Sequence, residues 1–103
     1  MNAKYLTVVA HVKARPGMER QVRQELLSLV QPSRKDEGCI SYALHQSVEN
    51  LSQFYFHENW TSKECLDRHL QQPYLQAVLA RIGQMVADPP QITLWEKISP
   101  DPV

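Results

Sequence analysis

Hydrophobic and polar residues alternate in four segments of the chain, and each of these segments predicts a β-strand. In residues 5–14, one face carries Leu6, Val8, Ala10, Val12 and Ala14, and the other carries Tyr5, Thr7, Val9, His11 and Lys13. A repeat of two is that of an extended strand, whose side chains point alternately to opposite faces. The same repeat marks residues 39–45, where Ile40, Tyr42 and Leu44 share a face, and residues 54–60 and 92–98. The aromatic residues of 54–60 further favour a sheet.

Helical spacing fills the two longer gaps between these strands. The first gap has its apolar positions at Met18, Val22, Leu26, Leu29 and Val30, which predict a helix ending near Pro32. In the second gap, Thr61 or Ser62 can cap a helix that carries Cys65, Leu66, His69 and Leu70. Pro73 interrupts that helix, and a further helical piece from Tyr74 to about Val86 carries the stripe Leu75, Val78, Leu79, Ile82 and Val86.

The resulting order of elements is β-α-β-β-α-β. Right-handed crossovers then place both helices on one face of a four-stranded antiparallel sheet. The sequence therefore predicts an α+β fold of ferredoxin-like topology. The opposite face of the sheet would expose Tyr5, Val9, Tyr55 and Trp95, so we expect a homodimer that buries this face.

Size and composition indicate one globular domain. The chain has 103 residues, of which 43% are hydrophobic and 21% charged, so we expect a single domain over residues 1–103 with its core in about residues 5–98. Eleven basic residues balance eleven acidic ones, which argues against nucleic acid or an anionic membrane as partner. The N-terminal residues lack a continuous apolar stretch, so we expect a cytoplasmic protein in which Cys39 and Cys65 are buried thiols.

Four short stretches together resemble a known family. They are Arg15-Pro16-Gly17 after the first strand, Glu37-Gly38-Cys39 with Tyr42, the aromatic run of residues 54–60, and His69 ahead of Pro73-Tyr74. On these stretches the chain resembles the antibiotic biosynthesis monooxygenase superfamily of small dimeric α+β barrel proteins. The resemblance extends over nearly the whole chain, roughly from Tyr5 to Ile98.

This resemblance implies a fold and a chemistry. Similar members include quinol monooxygenases, which oxidise aromatic polyols with molecular oxygen and use neither metal nor flavin. A further branch degrades haem through a His in the second half of the second helix. Between Leu75 and Val86 this sequence has no His, so haem is not expected. The resemblance therefore implies a small aromatic substrate and O₂ as partners, and no cofactor.

The candidate catalytic residues are His69, Glu58 and Trp60. An imidazole titrates near neutrality, so His69 is the best candidate for the base that deprotonates the substrate. Glu58 shares its strand face with aromatic residues, where burial would raise its pKa, and Trp60 can donate its indole N–H to a substrate oxygen. The candidate substrate-binding residues are Tyr42, Tyr74 and Phe56. Each of these side chains can also have a purely structural role in the core.

Other kinds of site are not predicted. His11, His45 and His57 lie on the opposite strand faces from the apolar residues, so we expect them at the dimer interface or in solvent. The histidines, cysteines and carboxylates match no metal-binding spacing, and no glycine-rich phosphate loop occurs.

These observations lead to one functional hypothesis and two alternatives. The hypothesis is a cofactor-independent monooxygenase that oxidises a small quinol or polyphenol with O₂. The first alternative is an isomerase or other acid–base enzyme acting on a small, phosphorylated carbonyl compound, because the same His and Glu would serve it. The second is a non-enzymatic dimer that binds a small ligand.

Overall fold

The computed structural model describes residues 4–101, and within them four strands form one antiparallel sheet. The strands are β1 (Leu6–Lys13), β2 (Cys39–Gln46), β3 (Gln53–Trp60) and β4 (Gln91–Trp95). Their order across the sheet is β2-β3-β1-β4. The two strands at the centre, β1 and β3, pair in a register that sets Leu6 opposite Trp60 and Val12 opposite Phe54. This topology confirms the predicted α+β ferredoxin-like fold.

Each helical connection consists of two helices. The first contains α1 (Glu19–Leu27) and α2 (Val30–Arg34), and the second contains α3 (Lys63–Leu70) and α4 (Pro73–Ile82). The sequence predicted that the first helix ends near Pro32. Pro32 instead lies in the first turn of α2, where a residue without an N–H loses no intrahelical hydrogen bond. Ser62 caps α3 by accepting a hydrogen bond from the backbone N–H of Cys65 at 3.2 Å.

The core lies between the helices and one face of the sheet. On β1 and β3 the predicted alternation is confirmed, since Val8, Ala10, Val12, Phe54, Phe56, Glu58 and Trp60 are all buried. The helices cover them with Val22, Leu26, Leu66, Leu75, Val78 and Ile82, among others. The opposite sheet face is uncovered and carries Val9, Tyr55 and Trp95, as predicted. Within residues 4–101, no helix is both long and apolar enough to traverse a bilayer.

Four further local predictions are wrong. Ile40 was expected to share a face with Tyr42, but a bulge between Cys39 and Ser41 turns it outward and leaves it 53% exposed. Cys39 is only partly buried, whereas Cys65 is buried, and both are free thiols. Strand β4 ends at Trp95 rather than at residue 98, and both its faces are exposed. Helix α4 ends at Ile82 because residue 86 instead bridges to Ala14 at the end of β1.

Gly38 fixes the turn that leads into β2. Its φ of +82° lies in the left-handed region that favours glycine. A Cβ at this position would contact Cys65 of α3 and would lie 2.7 Å from Thr61 Oγ1, closer than atoms can pack. The turn therefore lies directly against the first turn of α3.

We expect Gly38→Ala to lower the free energy of unfolding by more than about 2 kcal/mol, because it adds overpacking to backbone strain. Gly17→Ala is the matched control, since Gly17 has a φ of +87° but nothing within 4 Å of a new Cβ. Strain alone should cost about 1 kcal/mol there. Urea denaturation of both variants measures the difference, and equal losses would contradict the close contact.

Candidate active site

His69 is buried in the last turn of α3, with its side chain directed at the sheet. Cys65, Leu66 and His69 form the buried face of this helix, following the spacing of three and four residues that aligns side chains on one side. The imidazole is 2% exposed. Its ring centroid lies 4.6 Å from that of Trp60 and 5.5 Å from that of Tyr42. Two of the predicted aromatic residues therefore enclose the predicted base.

Asp36 provides the polar partner of this buried imidazole. Nδ1 of His69 lies 2.8 Å from Oδ2 of Asp36, in the turn that follows α2. The hydroxyl of Tyr74 donates to the same oxygen at 2.5 Å, and the amide of Gln72 donates to Oδ1 at 2.9 Å. Ser33, fully buried, lies 3.4 Å from the Tyr74 hydroxyl. These contacts hold Asp36 in one orientation against the imidazole.

The charge state of His69 follows from two opposed effects. Burial lowers the pKa of His69, and the hydrogen bond and charge of Asp36 raise it by less, so the net pKa is below the ordinary 6.5. The ring is therefore neutral at pH 7. A carboxylate only accepts hydrogen bonds, so the single ring proton is on Nδ1 and the lone pair is on Nε2. Within residues 4–101 the hydrogen bonds of the ring all involve Nδ1. Nε2 is thus the basic atom.

Tyr74 has its phenol group locked in the donor state. Burial and the hydrogen bond to Asp36 raise the pKa of Tyr74 above its ordinary value of 10. The phenol therefore keeps its proton and donates it to the Asp36 carboxylate. Its hydroxyl oxygen also lies 3.3 Å from Nδ1 of His69. Tyr74 acts on the imidazole together with Asp36 rather than on the opposite side of the ring.

Glu58 is the second titratable group of the site. It is 3% exposed, and its Oε1 accepts a hydrogen bond from the indole N–H of Trp60 at 2.8 Å. Burial raises the pKa of Glu58 to about 7, and the Trp60 hydrogen bond opposes this rise only in part. Glu58 is therefore divided between its acid and carboxylate forms near neutral pH.

A small cavity connects these two groups. It has a volume of about 50 Å³ and lies between the sheet and helices α3 and α4. Tyr42, Phe56, Glu58 and His69 line it together with Leu75 and other apolar side chains. Trp60 and Tyr74 do not line it, and they contact His69 from elsewhere. Burial also raises the pKa of Tyr42, so its phenol stays protonated in this wall.

The structure thus brings five of the six predicted residues around the sixth, His69. Tyr42, Phe56 and Glu58 share the cavity with it, and Trp60 and Tyr74 contact its ring. Sequence reasoning missed Asp36, which lies 33 positions before His69 in a polar segment that reads as a loop. No spacing links the two residues. The only local signal was an acidic residue next to a glycine turn that leads into a strand.

The chemistry that this arrangement supports is proton transfer at a cavity with mainly apolar walls. The site contains the neutral imidazole of His69 hydrogen-bonded to the Asp36 carboxylate, the Glu58 carboxyl group with a pKa of about 7, and aromatic walls. Among residues 4–101, no three His, Cys, Asp or Glu side chains cluster closely enough to hold a metal ion.

Comparison with known proteins identifies the family. The sequence model of the family described as antibiotic biosynthesis monooxygenase matches residues 5–81. The chain belongs to this family. Its fold is that of solved members, including one described as an antibiotic biosynthesis monooxygenase, which superimposes with a TM-score of 0.85 at 21% identity over 91% of this chain and 99% of that one.

Individual relatives are similar over most of the chain. A Mycobacterium tuberculosis protein named "Putative monooxygenase Rv0793" is 28% identical over 86% of this chain and 87% of its own. The Pseudomonas aeruginosa protein PA3566, of known structure, is 28% identical with a TM-score of 0.88, covering 93% of this chain and 96% of that one. An uncharacterized Synechocystis protein, sll1783, is 26% identical over 88% of this chain, which spans 62% of that protein's length.

The raised pKa of Glu58 has a consequence for stability. In the unfolded chain this carboxyl titrates near 4.5, and in the fold near 7, so ionisation between these values occurs more readily in the unfolded state. Glu58 therefore lowers the free energy of unfolding as the pH rises from about 4.5 through about 7, by about 3 kcal/mol in total.

We expect Glu58→Gln to remove this loss, because the amide is neutral and its oxygen can still accept the Trp60 N–H. The stability of the variant relative to wild type should rise by about 3 kcal/mol between pH 4 and pH 8 in urea denaturation. Glu64→Gln, exposed on α3, is the control for replacing a carboxylate by an amide and should not give a rise of this size. A flat difference for Glu58→Gln would mean that its carboxyl is solvated.

Proposed function

We propose that this protein is a cofactor-independent monooxygenase that oxidises a small quinol or polyphenol with molecular oxygen. The observation that carries the proposal is the Asp36–His69 pair at the wall of a small apolar cavity that also contains Glu58. Membership of the antibiotic biosynthesis monooxygenase family supports the same class of reaction. The quinol substrate class follows from the resemblance of the sequence to quinol monooxygenases, and a base at the wall of an apolar cavity is compatible with it.

His69 is the proposed base. Its Nε2 takes a proton from a substrate hydroxyl, and the imidazolium that forms is stabilised by the carboxylate of Asp36, 2.8 Å from Nδ1. The resulting quinolate is electron-rich and transfers an electron to O₂. The cavity favours this step because its apolar walls leave the anion poorly solvated.

The reaction balances without an external reductant. A quinol and O₂ contain the atoms of a hydroxyquinone and one water. One oxygen atom enters a ring C–H bond, the other is reduced to water, and the four electrons required come from the quinol itself. The substrate therefore supplies what a flavin or a metal supplies in other monooxygenases, provided that the enzyme generates its anion.

The remaining groups have proposed roles in binding and in the second proton transfer. Glu58, with a pKa of about 7, can donate a proton to the reduced oxygen when it is in its acid form. Trp60 orients Glu58 through its indole N–H, which is therefore used within the protein rather than on the substrate. Tyr42 and Phe56 supply aromatic walls, with ring centroids 4.9 Å apart.

An isomerase is the second candidate function. An acid and a base that line one cavity can take a proton from the carbon next to a carbonyl group and return a proton to another carbon, and His69 and Glu58 have this relationship. Such an enzyme would consume no oxygen, and oxygen uptake therefore separates the two candidates.

We also propose that the protein is a homodimer that buries the open face of its sheet. Trp95 is 57% exposed and Tyr55 is 38% exposed on this face, and Val9 lies between their strands. Large aromatic residues on a sheet without a covering layer are typical of an interface. A two-fold contact would bury the same side chains on both copies.

Oxygen uptake tests the proposed activity directly. Metal-stripped wild type should consume oxygen with at least one member of a quinol panel. Sedimentation of the same sample tests the dimer, which should have twice the chain mass of 11.9 kDa. His69→Ala should lower kcat/KM by about 100-fold or more, since a positioned general base contributes about that much. Asp36→Asn should lower kcat/KM by at least about tenfold. Trp60→Phe should also lower it, because Glu58 loses the hydrogen bond that orients its carboxyl group.

Asp67→Asn is the matched control, because Asp67 lies on α3 in a surface pair with Lys63 and should leave uptake unchanged. Each variant is compared at a temperature at which it is folded and has the oligomeric state of wild type. Absence of uptake by wild type on every quinol would contradict the monooxygenase and favour the isomerase. Full uptake by His69→Ala would contradict the assigned base.

A further inference from the structure

The cavity at His69 adjoins a larger groove on the surface. Four residues form the partition between them, contributing to the walls of both: Leu79, Ile82, Pro90 and Ile92. The groove has a volume of about 490 Å³ and lies between the end of α4 and residues 86–92. Most of its remaining wall is small or apolar, with Gly83, Val86, Ala87 and Pro89. The groove and the cavity are therefore neighbouring compartments with one shared wall.

The two compartments differ in volume and therefore in the size of ligand that each can hold. A cavity of about 50 Å³ has room for only a few water molecules, whereas ligand sites measure about 300–1,000 Å³. The groove by itself lies within that range. A ring substrate that reaches His69 must therefore displace side chains of the cavity wall. Where those side chains belong to the partition, a substituent on the ring extends into the groove.

The partition can be displaced at its exposed residues. Leu79 is 36% exposed and Ile92 is 45% exposed, so their side chains are packed on one side only. Side chains of this kind change rotamer on a fast timescale and at low cost. Ile82, by contrast, is 1% exposed and stays in the core. Leu79 and Ile92 are therefore the partition residues that can move aside to join groove and cavity.

The floor of the groove is preformed. The backbone N–H of Ala87 donates to the carbonyl of Lys13 at 2.8 Å, and that of Arg15 donates to the carbonyl of Met85 at 2.9 Å. The side chain of Arg15 adds a bond from Nε to the carbonyl of Val86 at 3.0 Å. These bonds fix the segment after α4 to the end of β1. A ligand that binds here meets a rigid wall and loses little energy in ordering it.

We propose that this groove binds an apolar substituent of the substrate, so that the substrate class is a quinol with an alkyl or similar arm. The inference rests on the proposed function for the ring end, where the polar groups lie. The groove end offers mainly apolar surface, and its lining also includes the charged residues Arg15 and Asp88. The substrate is then amphipathic, with its hydroxylated ring at His69 and Glu58 and its arm between α4 and β4.

Anaerobic calorimetry with hydroquinone and 2-pentylhydroquinone tests this proposal. Wild type should bind the pentyl compound at least about tenfold more tightly, since two buried methylene groups suffice for that gain. Gly83→Trp should abolish the gain by filling the groove. A Cβ at Gly83 meets only ordinary contacts of 3.5 Å and 3.8 Å, so the backbone tolerates this change. Ala87→Trp fills the same groove from its other wall and should act alike.

Ala77→Trp is the matched control, because Ala77 is exposed on α4 and lines neither compartment. It should keep the full gain. Equal affinities of wild type for the two compounds, or a gain that survives both groove-filling variants, would overturn the proposal. A shift from dimer to monomer caused by those variants would overturn it in favour of a second copy as the occupant.

The test separates this proposal from the proposed function. Tight binding of the pentyl compound without oxygen uptake would support the groove as a binding site and contradict the monooxygenase activity. Oxygen uptake with hydroquinone, without any gain in affinity from the pentyl arm, would support the monooxygenase activity and contradict the groove as a binding site. Binding of neither compound overturns the ring site and the groove together.

Discussion

The hydrogen bond between Asp36 and His69 is the interaction on which the candidate site depends. A buried imidazole without a partner would cost about 1–3 kcal/mol, and Asp36 removes that cost at Nδ1. The same bond determines the chemistry. It fixes the ring proton on Nδ1 while burial keeps the ring neutral, so that a basic nitrogen is available without the ring being charged in advance.

Three parts of the fold bring these groups together: strand β3, helix α3 and the turn that contains Asp36. Strand β3 places Glu58 between Phe56 and Trp60 on the covered face of the sheet, because its side chains alternate. Helix α3 places His69 one turn after Cys65 on its buried face. The close packing of Gly38 against Cys65 holds the turn that contains Asp36 against this helix. The site therefore depends on a glycine that has no chemistry of its own.

The sequence predicts the elements of this structure better than its contacts. Alternation on β1 and β3 identified the covered face, and it placed Glu58 among buried residues, because both depend on a repeat within one strand. The bulge at Ile40 was not predictable, since it arises from the pairing of β2 with β3. The partnership of Asp36 with His69 was missed for the same reason, because it joins a loop to a helix across 33 positions. The partition between cavity and groove joins α4 to β4 and is likewise formed only in the folded chain.

The tautomer of His69 tests the central claim most directly. Nitrogen-15 chemical shifts of the imidazole in wild type at pH 7 distinguish a proton on Nδ1 from one on Nε2 and from the charged ring. The account predicts a neutral ring protonated on Nδ1, with Nε2 unprotonated, and a loss of this preference in Asp36→Ala. A charged ring at pH 7, or a neutral ring protonated on Nε2, would contradict the assignment of His69 as the base.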